Sequence, residues 1–146
     1  MNTIVEKITE QLQNAFAECG YDRKYAKVSL SNRPDLCEYQ CNGAMAAAKE
    51  YKKAPFMIAD EVVAKLDKNS LFDRIESVKP GFINIILSGQ AVADYVNEMT
   101  QAKQFGYENP EKPKTVIVDY GGANAAKPLH VGHLRPAIIG ESVKRI

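Results

Sequence analysis

His130 and His133 stand three residues apart with Gly132 between them. They lie where a polar, glycine-containing stretch that begins at Asp119 gives way to a helical pattern from about Val131 to the last residue. At that spacing two side chains face the same side of a first helical turn. The unpaired backbone N–H groups of such a turn and the helix dipole favour an anion. Gly132 removes a side chain where a nucleotide must come close. Two neutral donors beside those N–H groups suit charge developing on a phosphoryl group during nucleotidyl transfer. The pair could instead be two ligands of a metal, but no third ligand sits nearby in the sequence and a phosphate-type loop precedes it. No protein-bound metal site is therefore expected.

These residues need elements to hold them. Thr115-Val-Ile-Val118 is an uninterrupted β-branched run, the pattern of a strand buried on both faces of a parallel sheet, and it leads through Asp119, Tyr120, Gly121 and Gly122 into the histidine helix. A parallel sheet cannot be built from one strand, and the sequence ends inside the helix, so the pattern is that of a domain cut off early. An orphaned strand of this kind would expose apolar surface and an unpaired edge, which predicts self-association or disorder. Residues 104–114 hold two prolines and no periodicity, which reads as a linker between a domain at 1–109 and another beginning at 110.

The first domain carries its own signals. Thr3 and Glu6 form a capping box before Ile4, Ile8, Leu12, Ala15 and Phe16, which predicts a helix over about 3–19 with Gly20 as its stop. Lys27–Leu30 and Leu36–Gln40 read as short strands around a Ser31–Asp35 turn, and Asn42 to Lys49 as a helix. Pro55 opens a helix through Ile58, Val62, Val63 and Leu66. Ile75–Val78 and Phe82–Leu87 read as strands joined at Pro80-Gly81, and Ser88 caps a helix through Val92, Tyr95, Val96 and Met99. The fold class is α+β: a two-layer domain with a small antiparallel sheet and packed helices. It is followed by the first strand, loop and helix of a nucleotide-binding domain.

Composition is that of a folded soluble protein, with 45% hydrophobic and 25% charged residues. No apolar run reaches the roughly 18 residues of a membrane span and no signal-peptide pattern opens the chain. Cys19, Cys37 and Cys41 form no C-x-x-C pair and suit reduced thiols in the cytoplasm. Residues 111–146 hold six Lys/Arg against three acids, leaving thirteen against fifteen in the first 110. A domain with two net negative charges cannot hold RNA by general counterion release and would need a few placed contacts.

The run Val118-Asp-Tyr-Gly-Gly-Ala-Asn-Ala-Ala-Lys-Pro-Leu-His-Val-Gly-His-Leu-Arg-Pro-Ala-Ile-Ile-Gly-Glu141 resembles the arginyl-tRNA synthetase version of the class I "HIGH" signature. Ala123 stands where a proline is common there, and Pro136 where a serine is usual, in the first turns where a missing N–H costs little. Asn32–Lys49 and Lys79–Leu87 resemble that family's N-terminal additional domain. The resemblance implies that His130, Gly132, His133 and Lys127 contact ATP, with His130, His133 and Lys127 serving catalysis. It further implies that Asp119 and Asn124 contact L-arginine, and that Mg2+ accompanies the nucleotide. It also implies that Lys79, Phe82 and Asn84 touch the D-loop of tRNA(Arg). Phe82 and Asn84 are two apart and share a strand face, so a ring could stack on a splayed base while the amide reads its edge.

Taken without the family, several of these residues have plainer readings. Phe82 is as easily core, because Ile83 and Ile85 leave both strand faces partly apolar. Lys79 is a solvated turn residue, and Lys127 and Asn124 are loop residues raised only by their spacing to the histidines. Asn84 is harder to dismiss, since an amide among isoleucines must find partners.

The expected function is the N-terminal part of a cytoplasmic arginine–tRNA ligase, catalytically incomplete by itself, with no membrane or DNA partner. None of the four methionines begins a K-M-S-K-type second signature. The alternative is a stand-alone tRNA-binding module with a vestigial H-V-G-H. Another H-x-G-H enzyme fits less well, since such enzymes lack a preceding domain of this kind.

Overall fold

A computed structural model describes residues 1–107, 112–123 and 125–146. Asn124 and residues 108–111 of the expected linker lie outside them. The chain divides into two compact units, Met1–Glu108 and Asn109–Ile146.

In the first unit, helix α1 spans Ile4–Glu18. Thr3 Oγ1 accepts from Glu6 N at 3.3 Å while the Glu6 carboxylate accepts from Thr3 N at 2.7 Å, so both ends of the capping box are closed. Gly20, at φ +82°, turns the chain out of the helix. Four strands follow as β1 (Val28–Leu30), β2 (Tyr39–Cys41), β3 (Phe72–Val78) and β4 (Phe82–Leu87), paired antiparallel in the order β1-β2-β4-β3. Helices α2 (Gly43–Tyr51) and α3 (Pro55–Leu66) sit between β2 and β3, and α4 (Gly89–Gln101) follows β4 behind its Ser88 cap.

One strand differs from expectation. Leu36–Gln40 is extended only at its end, and the ladder runs over Tyr39–Cys41 instead. Leu36 N and Cys37 N both donate to Arg33 O, so the preceding turn reaches as far as Cys37, and Arg33 pairs with Asp35 inside it. A local turn with its own hydrogen bonds outcompetes a short strand there.

The core lies between one sheet face and three helices. Ile8, Leu12 and Phe16 of α1, Ala44 and Ala47 of α2, Ile58, Ala59 and Val62 of α3, and Ile83 and Ile85 of β4 are all fully buried. Each larger member contributes about 1.5–3 kcal/mol by leaving water. Strand alternation puts Ile83, Ile85 and Leu87 in that core and turns Phe82, Asn84 and Ile86 to the opposite face. Two glycines fix close approaches: a Cβ at Gly43 would sit 1.8 Å from Tyr25 O, and one at Gly81 2.6 Å from Pro55 Cβ.

In the second unit the expected strand at Thr115–Val118 does not form. Val116 and Ile117 are 76% and 90% exposed. A β-branched run becomes a strand only when a neighbour supplies its hydrogen bonds, and among the described residues of this unit there is no other strand. Helix α5 spans Val131–Arg145. Pro136 is its sixth residue, beyond the first turn, so its missing N–H removes a bond to the carbonyl of Gly132. Glycine at that place, with no side chain, eases the approach of the proline ring.

Gly43→Ala forces a methyl into a backbone carbonyl that no rotamer change can move. It should lower stability by about 1–3 kcal/mol. Urea unfolding would show this as an earlier midpoint at unchanged slope. An unaltered midpoint would mean that the turn at Tyr25 yields freely.

Candidate functional site

The start of α5 is built by its own histidines. His130 is the N-cap, and its Nδ1 accepts from Gly132 N at 3.1 Å. His133 Nδ1 accepts in turn from His130 N at 3.2 Å, giving a capping box made of two imidazoles. The rings lie 4.1 Å apart at 52°. A neutral imidazole whose Nδ1 accepts carries its proton on Nε2. Both rings therefore carry an Nε2 donor with no protein partner among the described residues, while the Gly132 and His133 amides are already used within the turn. Gly132 leaves the space narrow: a Cβ there would stand 2.9 Å from the His130 ring. An open cleft of about 510 Å³ borders the pair, lined also by the apolar Leu129, Val131, Leu134 and Ala137 and by Gly121 and Ala123. Such a cleft offers an apolar surface to a ring and donors to an anion.

The segment before the helix is held by Tyr120. Its ring lies against Gly140, where a Cβ would come within 2.2 Å of the ring. Its hydroxyl donates to the Glu141 carboxylate, which Arg145 and Lys144 also engage. The Tyr120 hydroxyl, then Arg145 and Lys144, hold the Glu141 carboxyl below the usual carboxylate range. Tyr120 is thus a packing residue. Its neighbour Asp119 is exposed, and so is Lys127; neither has a partner among the described residues. Asn124 lies outside those residues. Among the described residues no group of three or more His, Cys, Asp or Glu could hold a metal ion.

The first unit brings Phe82 and Asn84 onto one face of β4, as their spacing requires. Lys79 is exposed on the preceding turn, its ammonium 5.6 Å from the Phe56 ring centre. Phe82 is partly buried. Asn84 is 7% exposed, and its Oδ1 accepts from Gln40 Nε2 at 2.9 Å.

Residues 2–87 match the model of the arginyl tRNA synthetase N-terminal domain. The chain belongs to the arginyl-tRNA synthetase family. Residues 95–146 match the catalytic domain of class I tRNA synthetases of the arginine type. The chain is 59% identical over its whole length to an arginine–tRNA ligase of Agathobacter rectalis and 53% identical to one of Alkaliphilus oremlandii. It covers 25% of each, so it spans about a quarter of the length of the curated relatives it matches. The solved arginyl-tRNA synthetases of Thermus thermophilus and Plasmodium falciparum superpose with TM-scores of 0.56 and 0.60, at 26% and 27% identity. The alignments cover 98% of this chain and 23% and 28% of those chains.

Within this family frame, the structure adds residues that spacing does not reveal. Gln40 meets Asn84 only through the β2–β4 register, and Gly140 and Glu141 meet Tyr120 only because the chain folds back on α5. The sole sequence signal for Gly140 is a glycine in a helix interior, which calls for a packing reason.

Two measurements check this geometry. The neutral imidazoles of His130 and His133 should show Nε2–H tautomers in 15N spectra, and an Nδ1–H signal from either would break the proposed cap. Gly140→Val should expel Tyr120 from α5, erasing the ring's cross-peaks to that helix while those of the first unit persist. Retained cross-peaks would show that the helix shifts instead.

Proposed function

We propose that this chain supplies the tRNA-contacting module and the first ATP-contacting segment of a cytoplasmic arginine–tRNA ligase. The reaction joins ATP, L-arginine and tRNA(Arg) to give arginyl-tRNA, AMP and pyrophosphate. In its first step the arginine carboxylate attacks the α-phosphorus of ATP and pyrophosphate leaves. In the second a terminal tRNA hydroxyl takes the arginyl group from AMP. The reading is supported above all by the start of α5, where both histidines use Nδ1 to cap the helix and keep Nε2 donors without a protein partner among the described residues. Donors preset for a phosphoryl oxygen cost no reorganisation as charge builds.

His130 and His133 hold the phosphates, with the apolar wall of the cleft beside Gly132 for the adenosine. Lys127 adds a cation without a protein partner of its own among the described residues. Mg2+ bound with the nucleotide would offset its charge. Asp119, an exposed carboxylate, suits the forked pairing of a guanidinium, and the resemblance adds Asn124 as a second arginine contact. In the first unit Phe82 offers a ring to a D-loop base, Asn84 an amide to its edge, and Lys79 a cation to the backbone. No helix among the described residues is long and apolar enough to cross a membrane, and the three cysteines are free thiols.

This chain alone should charge no tRNA with arginine, because the second class I signature is missing from it. Detectable charging would refute that. The wider reading is tested by binding to arginine-accepting tRNA against a matched tRNA with an altered D-loop, at near-physiological salt. Phe82→Ala should weaken selective binding by about 5- to 150-fold, the value of one base–aromatic stack of roughly 1–3 kcal/mol. Binding indifferent to the D-loop would sink the role assigned to the first unit.

A further inference from the structure

Asn84 is an unusual residue to find at this depth. It is 93% buried on a strand otherwise made of Phe, Ile and Leu, yet its side chain's only hydrogen bond among the described residues uses one end of the amide. Gln40 Nε2 donates to its Oδ1 at 2.9 Å. The Nδ2 group has no protein partner there, and no buried side-chain nitrogen or oxygen among the described residues lacks one, so Nδ2 reaches the surface. A nearly buried amide whose NH2 end has no protein partner and reaches the surface is a donor that an outside acceptor can meet.

The sheet sets this polarity. Gln40 on β2, Asn84 on β4 and Glu76 on β3 are direct Cα partners, and therefore form one row on the face turned away from the core. Glu76 offers only acceptors to this row, which favours the sense of the Asn84 amide with its NH2 end on that side. The carbonyl end then falls toward Gln40, which has a donor to meet it. Ser29, the Cα partner of Gln40 on β1, ends the row with a hydroxyl that tolerates either sense.

We propose that Gln40 is a positioning residue that fixes the amide of Asn84 with its donor outward, so that the base edge taken beside Phe82 is a hydrogen-bond acceptor. A carbonyl oxygen or an unprotonated ring nitrogen fits, whereas an exocyclic amino group is rejected because it meets a second donor. This rests on the reading of the first unit as a D-loop contact and adds the sense in which the base is read. Gln40 itself need not touch RNA.

The test uses this chain and D-arm hairpins in which each loop position in turn carries uridine or cytidine. The two differ at position 4 by a carbonyl acceptor against an amino donor. The wild type should favour uridine at one position by roughly three- to tenfold, the value of a single neutral hydrogen bond. Gln40→Glu replaces the donor with a carboxylate that accepts from Nδ2, which turns Oδ1 outward, and the preference at that position should invert. Its added charge weakens both hairpins alike and drops out of the ratio. Gln40→Met, close in shape but without a donor, should bring the ratio near one. Both variants should keep the wild-type circular dichroism, and if Gln40→Glu does not fold, Gln40→Met carries the test. A uridine preference unchanged in the folded variants overturns the role of Gln40 while leaving the D-loop reading intact. A preference for cytidine in the wild type overturns the polarity. Absence of any D-loop-dependent binding by the wild type overturns the underlying reading and this inference with it.

Discussion

The alternation of β4 is the constraint on which the first unit depends. Ile83, Ile85 and Leu87 enter the core while Phe82, Asn84 and Ile86 face away from it. A slip of one residue would send the amide into the apolar layer and the isoleucines out, at a cost of several kcal/mol. The strand is held in place from both sides, by β2 and by β3, and its entry is pinned where Gly81 meets Pro55 at the start of α3. The burial that stabilises the domain is therefore the same event that presents Phe82 and Asn84.

The second unit works from a different principle. A helix start leaves amides without intrahelical partners, and here two of them are met by imidazole nitrogens in place of the usual hydroxyl or carboxylate. Using Nδ1 for capping orients each ring and sets its tautomer, so the cap also prepares the Nε2 donors. A serine cap would satisfy the backbone equally well and leave nothing pointing outward. The Tyr120–Gly140 contact then ties the preceding segment to the same helix without a sheet to anchor it.

The two sites differ in how they answer the charge problem posed by the composition. The first unit's part of the chain is slightly acidic, so the proposed RNA contact would rest on shape, stacking and single hydrogen bonds. The C-terminal segment carries the basic surplus, and under the proposed function it would meet a nucleotide with its imidazole donors and Lys127.

Local chemistry was readable from the sequence wherever neighbours in the chain decide it. The capping box at Thr3, the proline at the start of α3, the Ser88 cap, the β3–β4 pair and the α5 start at His130 all follow from residues within a few positions of one another. The strand face shared by Phe82 and Asn84 was fixed by period alone. What the sequence could not determine was anything that depends on a distant partner. The run Thr115–Val118 has every local mark of a strand and forms none, because pairing needs a neighbour. β2 starts later than its composition suggests because a turn at Arg33–Cys37 claims the preceding residues. The meeting of Gln40 with Asn84, 44 residues apart, and of Tyr120 with Gly140 exists only once the chain has folded. Period and capping are properties of adjacent residues, whereas register and contact are decided by which surfaces come together.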